Sequence, residues 1–370
     1  MLIGLFPELD APGGIQRAGR HLALVLSEFA DAKAMEYRLL SLNDSQDLHR
    51  MRVGEREFVF TGAARGKAGF AAAALKATRR RPKLVLAAHP NLAPIVRCMK
   101  VFAPRMKSIV CTHGVEVWEP LSSMRRRALQ RATVVLAPSQ TTADFVVSLQ
   151  GVARERVRVL HWALDPDFDT RVAGTNSDGL PKDFPRGRVI LAVGRWLAAE
   201  RYKGMDTLIQ CMPRLLLRWP DAQLAIVGSG DDRDWLENIA KVSGVQRHVN
   251  FLTGLNYSEL SACYGAAEIF ALPSRGEGFG FVYLEAMARG KPVIGGAHGG
   301  APEVIRDGAT GYLVSHGDAV QLTTSLDTLL SNPEMARQMG ERGRERVQKE
   351  FKFSVFAKNF KKILRELCES

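Results

Sequence analysis

Two successive series of short apolar runs, each run followed by a longer amphipathic segment, constrain this 370-residue chain more than any other feature. The apolar runs have the length of buried strands, and the segments between them carry apolar residues at helical spacing. In the first such segment, one face carries Ile15, Ala18, Leu22, Val25 and Phe29. This alternation predicts a doubly wound α/β architecture, in which helices cover both faces of a parallel sheet.

A polar segment rich in Gly, Pro and Asp, between Arg171 and Gly187, separates the two series and is the predicted linker. We expect an N-terminal Rossmann-like domain at residues 1–175, a second one at 176–350, and a terminal helix at 351–370 that packs back on the first. The domains are expected to face each other across a cleft, because ligands of such sheets bind beyond the carboxyl ends of the strands. The predicted strands lie at residues 2–6, 37–41, 84–88, 108–112, 134–137 and 157–160, and at 189–193, 223–227, 249–252, 269–272, 293–294 and 312–314.

Composition indicates the compartment. No apolar run is long enough to span a bilayer, and residues 1–6 resemble a buried strand rather than a signal peptide. The cysteines are odd in number and have no CxxC spacing, so structural disulfides and a zinc site are not expected. We therefore expect a cytoplasmic location.

Positive charge is concentrated in one part of the chain. Between Arg50 and Val110 there are 14 Lys and Arg but two acids, a surplus equal to the net charge of +12 of the whole sequence. A basic face on one domain indicates an anionic partner (a membrane surface, a pyrophosphate-linked acceptor or nucleic acid), unless it is a solvated arginine-rich surface. Aromatic residues for stacking on bases are sparse there, which disfavours nucleic acid. Predicted helices at 75–81 and 124–131 would rest on anionic lipid at the inner face of a membrane through Arg79, Arg80, Arg81, Arg125, Arg126 and Arg127.

Two glutamates follow one strand of the second series. Glu277 lies in a glycine-rich turn, and Glu285 lies about two turns into the helix that comes next. Carboxylates accept two directional hydrogen bonds from sugar hydroxyls, and a helix N-terminus favours a phosphate. The pair therefore indicates a site for a sugar, a ribose and a phosphate. Alternatively, Glu285 is a solvated helix position and Glu277 is only a favourable charge at the helix N-terminus.

Three further loops lie at the ends of predicted strands. Gly13 and Gly14 open the first long helix, where a backbone without side chains can approach a phosphate, although such a pair is often only a turn. Arg195 and Lys203 are two cations that would clamp a diphosphate, unless they form a solvated basic loop. His113 ends an apolar strand, where a histidine is either catalytic or simply packed.

Other short motifs argue against metal and dinucleotide chemistry. Asp165-Pro166-Asp167 and Asp232-Arg233-Asp234 formally read as DxD, but neither lies with the other loops, and we assign no metal. Gly228-Ser229-Gly230 leads into acids instead of completing the dinucleotide fingerprint, which argues against an oxidoreductase.

Together these loops resemble the retaining glycosyltransferases of family 4 (group 1), whose two-domain fold is called GT-B. The resemblance covers nearly the whole chain and is most specific between Ala271 and Glu303. Residues 193–195 and 201–204 match independently, whereas the loops at Gly13-Gly14 and His113-Gly114 match more loosely.

The resemblance implies a role for each loop of the second domain. Glu277 would hold hydroxyls of the donor sugar, with the backbone N–H groups of Phe279 and Gly280 nearby. Glu285 would hold the ribose hydroxyls of the nucleotide, and the base would lie against backbone near residues 251–254.

The remaining implied roles concern charge and the acceptor side. Arg195 and Lys203 would bind the donor diphosphate and offset the negative charge growing on the leaving nucleotide. Gly14 would approach that diphosphate from the first domain, and His113 would lie beside the sugar.

The activity that the resemblance implies is metal-independent, retaining transfer of a hexose to a glycan or lipid-linked acceptor, in polysaccharide or glycolipid biosynthesis. The donor would be GDP-mannose or a UDP-hexose, with no further cofactor. No carboxylate is clearly placed for covalent attack, which favours a same-face route in which the leaving phosphate helps deprotonate the acceptor. The alternatives are a sugar phosphorylase or nucleotide-sugar epimerase of the same architecture, and a non-catalytic nucleotide-sugar or nucleic-acid binding protein.

Overall fold

The computed structural model describes residues 1–166, 168 and 179–369, which form two compact α/β units. The first unit comprises Met1–Asp167 and Lys352–Ser370, and the second comprises Phe168–Phe351. The predicted boundary at 175/176, residues 171–178 of the predicted linker, and Asp167 of the first DxD motif lie outside the described residues. The C-terminal segment belongs to the first unit.

The first unit contains an eight-stranded sheet with the order β3-β4-β2-β1-β5-β6-β7-β8. Every neighbouring pair is parallel except β3 and β4, which form an antiparallel hairpin. The sequence analysis did not predict this hairpin, because β3 alternates basic and apolar residues instead of forming an apolar run. The strands are β1 (Leu2–Phe6), β2 (Tyr37–Ser41), β3 (Leu48–Val53), β4 (Arg56–Gly62), β5 (Leu84–Ala87), β6 (Lys107–Cys111), β7 (Val134–Ala137) and β8 (Val157–Val159).

Five helices connect these strands, and a sixth ends the chain. The helix predicted at 75–81 is present in part: α2 ends at Ala77, a 3-10 turn continues to Arg80, and Arg81 is not helical. Arg81 has left-handed backbone (φ 48°), and the ring of Pro82 disfavours right-handed helical backbone at this position, so the helix does not continue through it. The helices are α1 (Gly14–Ala32), α2 (Lys67–Ala77), α3 (Ala93–Phe102), α4 (Ser123–Gln130) and α5 (Gln140–Ser148). The chain ends with α13 (Phe353–Glu369), whose apolar stripe packs against α1.

The second unit contains a six-stranded, fully parallel sheet with the order β11-β10-β9-β12-β13-β14. Its strands are β9 (Arg188–Val193), β10 (Ala222–Val227), β11 (Val249–Leu252), β12 (Ile269–Leu272), β13 (Val293–Gly296) and β14 (Gly311–Val314). Its helices are α6 (Met205–Leu216), α7 (Arg233–Val242), α8 (Tyr257–Ala266), α9 (Phe281–Ala288), α10 (Ala301–Val304), α11 (Ala319–Ser331) and α12 (Pro333–Glu350).

The predicted fold class is confirmed, and all twelve predicted strands are present with ends shifted by two residues or fewer. In each sheet the strand order reverses at one point, between β1 and β5 in the first and between β9 and β12 in the second. Loops that leave the carboxyl ends of two strands at such a reversal diverge and leave a crevice, where doubly wound folds bind ligands. These two crevices are the natural places to look for the predicted loops.

Candidate functional site

In the second unit, the reversal point brings together the basic loop and the glutamate loop. Arg195 follows β9, and Glu277 follows the neighbouring strand β12. The two strands pair through Ile190 and Ile269, so their carboxyl ends lie side by side. Residues about 80 positions apart in sequence therefore meet at one edge of the sheet.

Lys203 lies at the centre of this edge. Its ammonium nitrogen is 3.7 Å from Oε1 of Glu277 and 3.5 Å from Oε2 of Glu200, and all three side chains are at most 17% exposed. The guanidinium of Arg195 also pairs with Glu200 but is 65% exposed. A solvated basic loop therefore does not describe Lys203, although Arg195 does face solvent. The sequence analysis did not name Glu200, which holds both cations.

The backbone around Lys203 is fixed by close packing against the glutamate loop. Gly204 has left-handed backbone (φ 75°), and a Cβ there would lie 2.8 Å from the carbonyl oxygen of Pro273. The backbone N–H of Arg275 donates to the carbonyl of Tyr202 over 2.8 Å. A Cβ at Gly276 would meet the ring of Tyr202 at 2.7 Å. Both glycines are thus required for the contact that sets Lys203 beside Glu277.

Glu285 is buried, with 2% of its surface exposed, so the interpretation of a solvated helix position is wrong. It is the fifth residue of α9, about one turn from the helix start rather than two. The hydroxyl of Tyr264, on α8, donates to Oε2 of Glu285 over 2.7 Å. A carboxylate taken this far out of water needs hydrogen-bond donors, and a bound ribose would supply more of them.

Gly280 and Phe279 shape the start of α9. Gly280 has left-handed backbone (φ 99°), and the first turn of the helix has no side-chain cap from this residue and no acid. Phe279 is 2% exposed and packs its ring against Phe281 and Phe351, at 6.1 and 5.8 Å between centroids. The side chain of Phe279 is therefore part of the core, and only its backbone is suited to a ligand.

The glycines after β10 serve packing between loops. A Cβ at Gly228 would lie 1.9 Å from the carbonyl oxygen of Gly194, and one at Gly230 would lie 2.0 Å from that of Trp196. Trp196 in turn packs edge-on against Phe251, with centroids 5.5 Å apart, at the loop where we predict the base to lie. These glycines bring the β9 and β10 loops together and need not contact a dinucleotide.

The second DxD motif is engaged in an ion pair. Both carboxylate oxygens of Asp232 accept from the guanidinium of Arg201, over 2.8 and 2.6 Å. Arg201 also stacks on Trp235, with 3.8 Å from its central carbon to the ring centroid. Among the described residues, no three His, Cys, Asp or Glu side chains cluster in a way that would hold a metal.

In the first unit, the reversal point carries the glycine pair. Gly13 has a φ of 139°, which favours glycine, and Gly14 is the first residue of α1. Both are exposed, Gly13 provides no side-chain cap, and the first turn of α1 has no acid. The partial positive charge of this 19-residue helix therefore points to solvent and is suited to an anion.

His113 is held from several sides. Its ring stacks between those of His89 and Trp162, at 5.7 and 5.6 Å between centroids, and its Nε2 donates to the carbonyl of Ala88 over 2.6 Å. Its backbone N–H donates to Glu116. With Nε2 engaged by the carbonyl of Ala88, Nδ1 is the ring nitrogen left for another partner. His113 is therefore both packed and half-exposed.

The sequence analysis missed His89, which follows β5 as His113 follows β6. Burial lowers the pKa of His89 to about 3, with further lowering by His113 and Arg125. Its Nδ1 accepts from the backbone N–H of Asn91 over 3.1 Å. The signal that would have found it is its position at a strand end next to the reversal point.

The basic residues predicted to contact a membrane lie in two places. Arg79, Arg80 and Arg81 are exposed around the turn after α2, and Arg80 pairs with Glu36 over 2.8 Å. On α4, Arg125 and Arg127 are exposed and Arg126 is half-buried.

Comparisons with known proteins assign the family. The model for "Glycosyl transferases group 1" matches residues 182–346, and the model for "Glycosyltransferase Family 4" matches residues 13–168. A GDP-mannose-dependent alpha-(1-6)-phosphatidylinositol monomannoside mannosyltransferase of Mycobacterium tuberculosis is 36% identical over 287 residues, which cover 74% of this chain and 72% of that one. The chain belongs to the family 4, group 1 glycosyltransferases.

Other relatives of this glycosyltransferase agree. The protein of the same description from Mycolicibacterium smegmatis is 38% identical over 253 residues, and the match spans 64% of each chain. The sucrose-phosphate synthase of Thermosynechococcus elongatus has the same fold, with a TM-score of 0.80, 24% identity and coverage of 99% of this chain and 98% of that one. Anabaena HepE, solved in complex with UDP, has a TM-score of 0.76 at 17% identity, with 99% of both chains covered. The GT-B fold is thus confirmed.

Proposed function

We propose that this protein is a retaining, metal-independent glycosyltransferase that transfers mannose from GDP-mannose to a glycan or a lipid-linked acceptor. The observation that carries the proposal is the cluster of Lys203, Glu277 and Glu200 at the reversal point of the second sheet, beside the buried Glu285. The choice of GDP-mannose among hexose donors rests on the mycobacterial relatives, which are named for that donor.

We assign the parts of the donor to the second unit as follows. Glu277 accepts hydrogen bonds from hydroxyls of the sugar, and Glu285 accepts them from the ribose. Lys203 and Arg195 bind the diphosphate, and the backbone N–H groups at the start of α9 add partial positive charge. Glu200 and Glu277 lie within 3.5 and 3.7 Å of the Lys203 ammonium nitrogen and hold it at the place where the diphosphate is proposed to bind.

The chemical step follows from these charges. The bond between the anomeric carbon and the β-phosphate oxygen breaks, and its electron pair stays on the leaving GDP. Lys203 and Arg195 stabilise that growing negative charge, the task that a metal ion performs in other transferases. The acceptor hydroxyl attacks the same face, and its proton passes to a phosphate oxygen. The new glycosidic bond then has the configuration of the donor, and the relatives are named for alpha transfer.

In the first unit, we propose that the N-terminus of α1 at Gly14 binds phosphate oxygens and that His113 contacts a sugar hydroxyl. Because Nε2 of His113 donates to the carbonyl of Ala88, Nδ1 is the ring nitrogen that remains for such a hydroxyl. The acceptor is proposed to bind this unit, at the inner face of a membrane with which the cytoplasmic protein associates peripherally. Among the described residues, no helix is long and apolar enough to cross a bilayer.

A panel of nucleotide sugars tests the proposal. Purified protein is incubated with GDP-mannose, UDP-glucose and UDP-N-acetylglucosamine, and donor hydrolysis and thermal stabilisation are recorded with and without EDTA. GDP-mannose should stabilise the protein most and be consumed at the same rate in EDTA. NMR of the product should show an α-linked hexose.

Three outcomes would contradict parts of this proposal. A β-linked product would exclude retention, and loss of activity in EDTA that Mg²⁺ or Mn²⁺ restores would exclude metal independence. Formation of a sugar 1-phosphate only when inorganic phosphate is added would indicate the phosphorylase alternative instead.

A further inference from the structure

A groove of about 460 Å³ lies on the first unit between α3 and α4. Its basic side chains come from α3, from the residue after α4 and from the turn before β8, and they are Arg97, Lys100, Arg131 and Arg156. Because these residues precede β6, β7 and β8 or lie near their starts, the groove is at the amino-terminal edge of the sheet. The predicted loops at Gly14 and His113 lie at the opposite, carboxyl-terminal edge.

The positive charge of this groove is not neutralised by acids. Among the described residues, none of the four cations forms an ion pair. Lys100 donates to neutral groups, the carbonyl of Arg131 and the hydroxyl of Thr133, and Arg156 donates to the carbonyl of Gln130. Burial lowers the pKa of Lys100, and Arg156 and Lys107 lower it further. An anion in the groove would relieve this repulsion.

Val101 lines the groove and Phe102 is the next residue along α3; both are exposed apolar side chains. Val101 is 73% exposed and Phe102 is 69% exposed, and both end α3 beside Lys100. A soluble phosphate would make no favourable contact with these apolar side chains. At a membrane interface, by contrast, an aromatic and an aliphatic side chain can insert next to cations that bind headgroups. The combination distinguishes this groove from the turn at Arg79–Arg81, where the chain offers cations alone and Arg80 is already paired with Glu36.

We infer that this groove binds the phosphate of an anionic phospholipid headgroup while Val101 and Phe102 enter the membrane interface. The inference deepens the membrane part of the proposed function and does not depend on sugar transfer. It places the primary lipid contact at the amino-terminal edge of the first sheet. The residues Arg79–Arg81 and Arg125–Arg127 would then add to membrane binding without determining it.

Co-sedimentation with vesicles tests the inference on the full-length protein. Vesicles of phosphatidylcholine alone are compared with vesicles containing phosphatidylglycerol, for wild type, Arg97→Ser, and Arg97→Ser combined with Phe102→Ser. Loss of one charge from an anionic surface should weaken binding about fivefold. The double variant should lose at least about tenfold, because an inserted aromatic side chain is removed as well.

A matched control exists in the second unit, where Val242 is 79% exposed and Arg247 is exposed. Val242→Ser combined with Arg247→Ser likewise removes one exposed cation and one exposed apolar side chain, here an aliphatic one, and should leave vesicle binding unchanged. All these positions are on the surface, so circular dichroism should show folded protein throughout. Hydrolysis of GDP-mannose in solution should be unchanged in every variant, and its absence from wild type would contradict the proposed function without affecting the vesicle result.

Two results would overturn the inference. One is that wild type and the groove double variant bind anionic vesicles equally well. This includes the case in which vesicle binding is abolished only by the triple variant Arg79→Ser, Arg80→Ser and Arg81→Ser. The other is calorimetric binding of inorganic phosphate or pyrophosphate by wild type, sensitive to Arg97→Ser, without any binding to vesicles, which would make the groove a site for a soluble anion.

Discussion

Tyr264 donates its hydroxyl to the buried carboxylate of Glu285, and this contact gives a test at the level of one atom. Tyr264→Phe removes the donor but keeps the ring, which packs near Phe270 and Phe168. Removing one partner of a buried polar group costs about 1–3 kcal/mol. We expect a loss of that size in the free energy of unfolding measured in urea, together with a raised KM for the donor.

Tyr312→Phe is the matched control, because the hydroxyl of Tyr312 makes no hydrogen bond within the described part of the chain. This control should leave both stability and KM close to wild type. Equal stability and KM in Tyr264→Phe and wild type would show that the Tyr264 hydroxyl does not support Glu285.

At the residue scale, the sequence predicted most members of the cluster around Lys203 but not their contacts with one another. Arg195, Lys203 and Glu277 were predicted because each follows a strand. The contact between Lys203 and Glu277 was not predictable, because it depends on β9 and β12 being neighbours. Glu200 was missed because an acid that lies between two cations in the sequence looks like local charge balance.

Gly280 tests how the start of α9 is built. Its left-handed backbone costs a residue with a Cβ about 1–2 kcal/mol, and that Cβ would lie 2.3 Å from the ring of Tyr283. Gly280→Ala should therefore lower the free energy of unfolding by more than about 2 kcal/mol and weaken donor binding, measured by urea denaturation and thermal shift with GDP-mannose.

Gly265→Ala is the control for the same substitution in a helix. No atom lies within 4 Å of a Cβ at Gly265, which is in α8. Alanine should stabilise that helix by about 0.5–1 kcal/mol. If Gly280→Ala proved as harmless as Gly265→Ala, the tight turn at the start of α9 would not be required.

The packing of α1 against α13 predicts a pH dependence. His21 is fully buried, with its ring 5.2 Å from Phe353 and 5.9 Å from Phe356 between centroids. Burial lowers the pKa of His21 to about 3, assisted by Arg17 and Arg20, and outweighs the attraction of Asp165 at 4.0 Å. In the unfolded chain His21 therefore binds a proton below about pH 6.5, whereas in the folded protein it stays unprotonated until a much lower pH. The free energy of unfolding consequently falls as the pH falls below about 6.5.

The expected slope is about 1.4 kcal/mol per pH unit between pH 6 and pH 4. Urea unfolding of His21→Leu should show a pH dependence shallower by that amount than wild type. His298→Leu, which replaces an exposed histidine, should keep the wild-type slope. Identical slopes for wild type and His21→Leu would exclude a buried neutral His21.

At the element scale, apolar runs predicted every strand that is buried on both faces. The hairpin of β3 and β4 lies at the edge of the first sheet and was missed, since most of its exposed side chains are charged or polar. The helix predicted at 75–81 ends one residue early and changes to 3-10 geometry after Ala77, because apolar spacing does not reveal the backbone restriction that Pro82 places on Arg81. Helix ends thus depend on single residues, whereas buried strands follow from composition over several.

For the whole molecule, the two series of apolar runs corresponded to two sheets, and the fold class followed from the alternation alone. What composition could not specify is which loops meet at each reversal point, because strand order is a long-range property. The resemblance to the family that the sequence shows, by contrast, is most specific between Ala271 and Glu303, from the end of β12 through α9 to the start of α10. The distribution of charge is also a property of the whole molecule. The surplus of basic residues lies in the first unit, whereas the proposed donor cluster lies in the second.

The central claim is that the cluster around Lys203 and Glu277 binds and activates a GDP-mannose donor. The most direct test measures mannosyl transfer by Lys203→Ala and Glu277→Ala, with circular dichroism to verify folding. Each variant should lose at least about 100-fold in kcat, the typical effect of removing one charge-stabilising group. Glu334→Ala and Arg337→Ala, which break an exposed ion pair on α12, should keep wild-type rates. Folded Lys203→Ala and Glu277→Ala proteins with wild-type transfer would contradict the account.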